Sequence, residues 1–444
     1  MKRGLTFLGI VAVILFSFQT AFGAGFALIE QSVSGLGNAF AGGAAAAEDA
    51  STVYFNPAGM TRLQGQQLMF VGHYISAQAE FKNEGSMHVL GMPLTGGDSG
   101  NAPDANVVPN FYYVANLDNG LALGLGINAP FGFTTDYDST WVGRYHALKS
   151  SVISVNINPS VAYRFSPYFS LGGGLNIQYL EAELSNAVDF GTIDYLSGGA
   201  LGLTPQQDDG KANLTGDNWA YGFNLGALLE LSENTRLGVA YRSKIEQDID
   251  GKVDYDVPFA VAYAQAMGLM NMFTDGPASA CIDLPDTFSI SFYHRFAEKW
   301  AVMADATWTK WSLFDELKAT FDDDTPDSVT TENWDNTWRY ALGLTYYANE
   351  NWTFRTGTAF DETPVPDAQH RTPRIPCGDR IWAAFGMGYK ISQNFGIDIG
   401  YAHLFVDDPE INKAATGEDA LRGGLQGTFD ASVDILSVQL NIAF

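Results

Sequence analysis

The sequence predicts an all-β fold: a transmembrane antiparallel β-barrel of about fourteen strands with an amino-terminal plug, or hatch, standing in its lumen. Three observations carry this. From Gln67 onward, segments of about ten residues alternate apolar and polar side chains, the period that gives a strand one lipid face and one lumen face. Short turns alternate with long loops along the same stretch. The segment before it, AGFALIEQSVSGLGNAFAGGAAAAEDASTVYFNPAGMTR at residues 24–62, is too irregular and too rich in small residues for a strand or a long helix.

The chain opens on Lys2 and Arg3, runs apolar from Leu5 to Phe18 and then turns to small residues, the tripartite pattern of a secretory signal peptide with cleavage near Gly23. That apolar run falls short of the roughly 20 residues a helical span needs. The expected division is signal peptide 1–23, plug 24–66 and barrel 67–444. Hydrophobic residues make up 46% of the 444-residue chain, aromatic residues 13% and charged residues 17%, with 47 glycines. Such a balance suits a lipid-facing wall with aromatic girdles better than a soluble enzyme. The net charge of −26 grows more negative once Lys2 and Arg3 are removed, which excludes nucleic acid as a partner. Acid runs such as Asp322, Asp323 and Asp324 fall in loops and read as a solvated surface, or as sites for cation bridging to anionic lipid headgroups.

Strand alternation is clearest in three places. Phe288, Ile290, Phe292 and Phe296 alternate with Ser289, Ser291, Tyr293 and Arg295. Trp338, Tyr340, Leu342 and Leu344 alternate with Arg339, Ala341, Gly343 and Thr345, and Phe395, Ile397, Ile399 and Tyr401 with Gly396, Asp398, Gly400 and Ala402. Each strand is thereby committed to one face, because a slip of one residue would put charge into lipid. Short turns are expected at 118–119, 166–168, 232–235, 297–299, 348–351 and 392–394. Longer loops are expected near 83–105, 134–147, 186–217, 250–284, 315–333, 362–379 and 406–428, and that alternation marks the periplasmic and outer ends. The last strand, SVQLNIAF, stops at Phe444, so it can pair with the first strand and remove both edges.

These residues resemble the FadL-type long-chain fatty acid and hydrocarbon transporters of Gram-negative outer membranes. The resemblance runs over the whole mature chain: AGFALIE, SGLGNAFAG and FNPAGM in the plug, AYRSK at Ala240, SLFDELKAT at Ser312 and NWTFRTGTAFDETPVPD at Asn351. It implies a monomeric fourteen-stranded barrel that passes apolar substrates without energy of its own, and a lateral opening where the third strand is kinked. In this sequence INAPFGF interrupts the third strand, through Asn128, Ala129, Pro130, Phe131 and Gly132. Pro130 cannot donate to a ladder and Gly132 bends easily, so a break in pairing, or an ordinary bulge, follows from the residues themselves.

An apolar groove is expected in the outer loops. PFAVAYAQAMGLMNMF at 258–273 supplies Phe259, Met267, Met270 and Phe273, and the preceding outer loop supplies Phe190, Leu196, Leu201 and Leu203. Mutual packing without a ligand is the alternative. In the lumen, Phe26, Leu28 and Ile29 are placed against a bound tail, a placement the resemblance supports. The Asn56-Pro57-Ala58 turn anchors or gates the plug. Inward-facing Arg242, Arg339 and Arg355 are suited to a carboxylate, or to structural pairing with Glu30, Glu48 or Asp49. The basic residues of the family's fatty acid binder align with Asn186 and Thr330, which are not basic, so neutral hydrocarbons or esters stay open as ligands. Cys281 and Cys377 follow loops of the same side, and a disulfide between them is left open.

No cofactor or metal is expected, since the six histidines show no ligand or nucleophile spacing, and an enzyme is not expected either. The function expected is passive outer-membrane uptake of long-chain fatty acids or related hydrophobic compounds. Neutral aromatic hydrocarbons as cargo, a general diffusion porin, and a structural or receptor role are the alternatives.

Overall fold

The computed structural model describes residues 24–103, 105–117 and 119–444. The expected signal peptide and Asp118 of the first short turn lie outside these residues. One closed antiparallel sheet dominates the molecule. Its strands are β1 (Gln66–Asn83), β2 (Asn106–Leu117), β3 (Leu121–Asn128 and Gly132–Asp136), β4 (Lys149–Ser166) and β5 (Phe169–Asp189). Next come β6 (Asp209–Ser232), β7 (Thr235–Arg242 and Ile245–Asp256), β8 (Gly276–Leu284 and Thr287–Phe296) and β9 (Trp300–Thr309 and Glu316–Phe321). The circuit ends with β10 (Ser328–Thr331 and Thr337–Tyr347), β11 (Trp352–Asp361), β12 (Arg380–Lys390), β13 (Phe395–Val406) and β14 (Gln426–Ala443). Each strand pairs with its chain neighbours, and β14 pairs with β1 from Gln67↔Ala443 to Asn83↔Gly427, which makes a fourteen-stranded barrel with no free edge.

The alternation sorts side chains as the period of two requires. On β10, Trp338, Tyr340 and Leu342 are exposed on the outer face while Arg339, Ala341 and Thr345 are buried inside. On β13, Ile399 and Tyr401 face out while Asp398 and Ala402 face in. The strands reach further than apolar alternation indicates. Segments expected as loops at 186–217 and 250–284 are ladder in large part, with β5 ending at Asp189, β6 starting at Asp209, β7 ending at Asp256 and β8 starting at Gly276. In β7 and β8 these extensions bury one face, through Ile249, Val253, Ala278 and Ile282, and turn polar residues such as Glu246, Asp248 and Asp250 outward, so the apolar outer face that marks a lipid-facing strand is missing there.

Residues 24–65 fill the barrel. They form α1 (Val33–Gly37), α2 (Gly43–Ala46), α3 (Thr52–Phe55) and a 3₁₀ turn over Pro57–Arg62. Small residues allow this packing. A Cβ on Gly226 of β6 would stand 1.9 Å from Asn56 Oδ1, and one on Gly357 of β11 would stand 2.1 Å from the Asn38 carbonyl carbon. At the end bearing the short turns, Arg62 pairs with Glu230, which also takes Arg164 at 2.6 Å. Arg236 donates to the Ala45 and Ala46 carbonyls at 2.9 and 2.8 Å.

The disulfide left open from the sequence is not formed. Cys281 and Cys377 are both free: Cys281 is exposed on β8, and Cys377 is buried where its sulfur accepts from Arg380 Nη2 at 3.0 Å. A thiol that faces outward from a strand and one buried inside a loop have no common side on which to meet.

Candidate functional site

The site is built where the first described residues meet the broken third strand. Between Asn128 and Gly132 the chain leaves the wall, and Ala27 bridges Phe131. The Leu28 amide donates to the Pro130 carbonyl at 2.8 Å, and the Gly132 amide donates to the Phe26 carbonyl at 2.9 Å. The ladder from β2 to β3 stops at Phe111↔Ile127, so residues 107–110 keep only their β1 ladder. Polar side chains lace the break. Asn110 Nδ2 donates to the Glu30 carbonyl at 2.9 Å, Gln31 Nε2 to the Ala129 carbonyl at 3.1 Å, and the Tyr112 hydroxyl to Gln31 Oε1 at 2.7 Å.

Phe26 is the centre of an aromatic roof, with ring centroids 4.9 Å from Trp311, 5.7 Å from Phe314 and 5.9 Å from Phe131 and Trp334. Beneath it lies a lumen cavity of about 120 Å³. Leu28, Ile29, Phe40, Phe55, Trp311 and Trp382 give it apolar walls. Across from them, Thr287, Thr309 and Thr337 stand opposite one another on β8, β9 and β10, with Ser289 and Thr307 in the next row. The slot is therefore amphipathic.

Two of the three sequence-selected arginines reach this cavity. Arg339 donates to the Ala39 carbonyl at 2.8 Å and lies 5.0 Å from the Trp382 ring, while its Nε and Nη1 have no hydrogen-bond partner. Arg242 donates to the Tyr54 carbonyl at 3.1 Å and covers the Tyr54 ring at 4.3 Å. Arg355 does not reach it. It stands near the start of β11, at the end with the short turns, and is held by Asp398 at 2.7 Å and Glu48 at 3.3 Å. The expected pairing with a plug acid thus describes Arg355, and its expected place in the lumen ligand site is corrected by the position of its strand. Phe26 forms the roof, and Leu28 and Ile29 form the wall.

Asp305 and Asp361, which sequence reasoning missed, also line the cavity. Each is an acid on a strand face whose neighbours point inward, and that was the available signal. Glu30 is fully buried with neither carboxylate oxygen hydrogen-bonded, and Arg380 and Arg339 supply the opposing charge. The Asn56 side chain donates to the Ala44 and Ala227 carbonyls at 2.6 and 3.0 Å and accepts from the Ala58 amide at 3.1 Å, tying the plug to β6.

In the outer loops, α4 (Phe190–Leu196) and α5 (Phe259–Ala266) form as separate short helices. Phe190 and Phe273 meet edge to face at 5.0 Å, but Leu196, Phe259 and Met267 point to solvent, so the eight groove residues do not close on one another. The Leu201 and Leu203 amides donate to Asp194 at 2.9 and 3.0 Å and so shape a turn, while Met270 is half-buried. Next to Thr330, where the sequence lacks a basic residue, Arg422 donates to the threonine hydroxyl at 3.1 Å from a different loop. Deeper among the loops, burial pushes the Glu332 carboxyl up to about 8, and Trp334 Nε1 donates to it at 3.0 Å. Burial likewise lowers Arg374 to about 10 and His146 to about 4. No metal-holding cluster of His, Cys, Asp or Glu occurs among the described residues.

With this geometry in view, relatives can be compared. The family model described as "Outer membrane protein transport protein (OMPP1/FadL/TodX)" matches residues 14–444. A long-chain fatty acid transport protein of Salmonella typhi is 33% identical over 412 residues, covering 91% of this chain and 92% of its own. The crystal structure of a Pseudomonas aeruginosa FadL homologue superposes with a TM-score of 0.87 at 26% identity, covering 95% of this chain and 100% of its own. A Ralstonia pickettii toluene transporter shares the fold at a TM-score of 0.64 and 18% identity, covering 94% of this chain and 98% of its own. The chain belongs to the outer-membrane transport protein family that takes in OMPP1, FadL and TodX.

Proposed function

We propose that this protein is a passive outer-membrane transporter for hydrophobic compounds, long-chain fatty acids first among them. The observation that carries the reading is the amphipathic lumen cavity, with Leu28, Ile29, Phe40, Phe55, Trp311 and Trp382 as its apolar wall, set behind residues 26–28 where they pair with the break in β3. Each methylene moved from water into such a wall gains about 0.8 kcal/mol, so a chain that leaves the aqueous side moves downhill without coupled energy. The outer loops, with exposed Phe259, Met267 and Leu196, collect the ligand. Leu28, Ile29 and Arg339 hold it, the two unpartnered guanidinium nitrogens facing a carboxylate. The β3 break, Asn128 to Gly132, releases it sideways into lipid, and Asn56-Pro57-Ala58 keeps the plug in place meanwhile. The protein acts as a monomer in contact with outer-membrane lipid, and as a transporter rather than an enzyme.

A second cargo class, neutral aromatic hydrocarbons, is favoured by one specific feature. Arg242 and Arg339 are matched in the cavity wall by Asp305 and Asp361, so the slot carries little net charge. Mass spectrometry of lipids that co-purify with the protein separates the two classes. For the sideways route, residues Asn128 to Gly132 are replaced by a regular strand-forming stretch. Oleate uptake by cells is expected to fall about tenfold; unchanged uptake rules that route out.

A further inference from the structure

The wall carries a second interruption, between β6 and β7. Their ladder runs up to Asn224↔Arg242, stops, and resumes at Asp217↔Asp250, with β7 carrying one residue more than β6 in between. The extra residue falls at Ser243 and Lys244, where β7 bulges: Arg242 and Ile245 on either side are both buried, so the alternation slips there. The Ser243 amide still reaches the Phe223 carbonyl at 2.9 Å, while β5 stays laddered to β6 at the same height. Facing the gap from within, Gln247 is fully buried with neither side-chain polar atom hydrogen-bonded. Gln178, paired across β5 and β6 with Ala220, has an unpartnered Nε2 as well. Native interiors rarely leave such groups unpaired, so these amides have donors to spare for a polar visitor.

The lumen cavity ends at this seam. Leu225, Ala240 and Tyr241 line it from the last pairs below the gap. The same three residues line an open groove of about 510 Å³ on the lipid-facing surface, walled by Val161, Tyr163 and Leu171 and floored by Gly173. One thickness of backbone therefore divides the cavity from the groove. The groove exists because Gly173 has no side chain: a Cβ there would already stand 3.1 Å from Leu225 Cδ2. Above it the outer face turns polar. The Tyr241 hydroxyl donates to Asp286 Oδ1, which also accepts from the Lys244 amide at 3.1 Å, so one carboxylate of the neighbouring strand holds the bulge shut.

We propose that the seam between β6 and β7 is a second sideways exit from the lumen cavity, used by fatty acids, with the Gly173 groove receiving the tail. The proposal rests on the lumen cavity being the ligand site described above, and it is independent of release at β3. The order of polar and apolar groups fits this cargo. Gln247 and Gln178 inside, and outside the Lys244 ammonium, which rests against exposed Glu246, offer donors to a carboxylate at the height of the gap. The apolar groove lies below them, towards the short turns. A fatty acid leaving here keeps its headgroup among those donors and slides its tail through the seam into the groove. Where the ladder is already interrupted, few backbone hydrogen bonds have to part to let it by.

A reversible staple tests this. A Cβ on Gly222 would stand 2.8 Å from Ile245 Cγ1, near the about 3 Å that separates one Cβ from the far sulfur of a disulfide, so Gly222→Cys with Ile245→Cys would sew the seam shut. Cys281→Ser and Cys377→Ser remove competing thiols. The staple is read in the variant whose residues 128–132 are rebuilt as a regular strand. Oleate uptake that remains in that variant should fall about fivefold more when the staple is oxidised, and return with reductant. A remainder that ignores a fully formed staple overturns the proposal, as does the absence of any remainder above cells lacking the protein. Gly173→Trp, which fills the groove without a cross-link, should cut the same remainder by a similar factor, and unchanged uptake there overturns the groove's part in the route. The readings beneath the proposal fail separately. A rebuilt β3 that costs no uptake dismisses release at β3 and leaves the staple more to remove, while cells lacking the protein that take up oleate as well as cells that have it dismiss the lumen site.

Discussion

Gly357 on β11 shows how much of this molecule is decided atom by atom. The atoms a side chain would strike there belong to the Asn38 backbone, which cannot rotate away. Gly357→Ala should therefore cost about 1–3 kcal/mol through overpacking. At Gly72 nothing lies within 4 Å, so Gly72→Ala serves as the control. Thermal unfolding followed by circular dichroism checks the pair, and equal midpoints would remove the glycines from the account of plug fit. Glu332 makes a second prediction. Its carboxyl is raised in the folded protein, so the stabilisation linked to its proton is complete below the ordinary value near 4.5 and is lost as pH rises towards about 8. Amides of residues 332–336, corrected for intrinsic exchange, should lose at least about tenfold protection between pH 5 and 8, and Glu332→Gln should abolish that loss. At this scale the sequence was partly legible. Inward-facing arginines stood out because a charge on an alternating strand has one place to go. That Arg355 pairs with Glu48 and Asp398 near the short turns while Arg339 reaches the cavity depends on height along the barrel, which strand alternation does not encode.

Among the elements, the strands were the most readable, because lipid on one side enforces a strict period of two. Their ends were not, since the ladders of β5, β6, β7 and β8 run on past the lipid, where the outward face turns polar and the apolar residues of β7 and β8, such as Ile249 and Ile282, lie on the inner face instead. The break in β3 was readable for a different reason: Pro130 has no amide to give to a ladder, and Gly132 close behind it bends easily. What fills the gap, residues 26–31 pairing back on Pro130 and Gly132, rests on contacts about a hundred residues apart in the chain, and a single sequence holds no trace of them. The Asn56 turn belongs to this scale because one side chain joins the plug to the wall. Asn56→Ala leaves the Ala44 and Ala227 carbonyls short of a donor, at a cost of about 1–3 kcal/mol. Limited proteolysis from the periplasmic side should then cut within residues 38–56 faster than in the unaltered protein. Equal cleavage rates would mean that the turn does not anchor the plug.

For the molecule as a whole, strand number and closure followed from turn alternation and the final aromatic, and the plug followed from the irregular, small-residue-rich stretch before Gln67. A filled lumen separates this protein from a general diffusion porin. Reconstituted in planar bilayers, the unaltered protein should show no steady open-pore current, and a conductance like that of a water-filled barrel would return the porin reading. The closing ladder between β1 and β14 carries one more consequence. Because β14 pairs with β1 along its whole length and Phe444 exchanges backbone hydrogen bonds with Gln66, the first strand lacks its second neighbour until β14 reaches it. Until residues 426–443 have joined β1, the sheet thus keeps two raw edges and a row of greasy side chains uncovered, and a bulky group beside the Gln66–Phe444 pair would sit on the very seam that has to close.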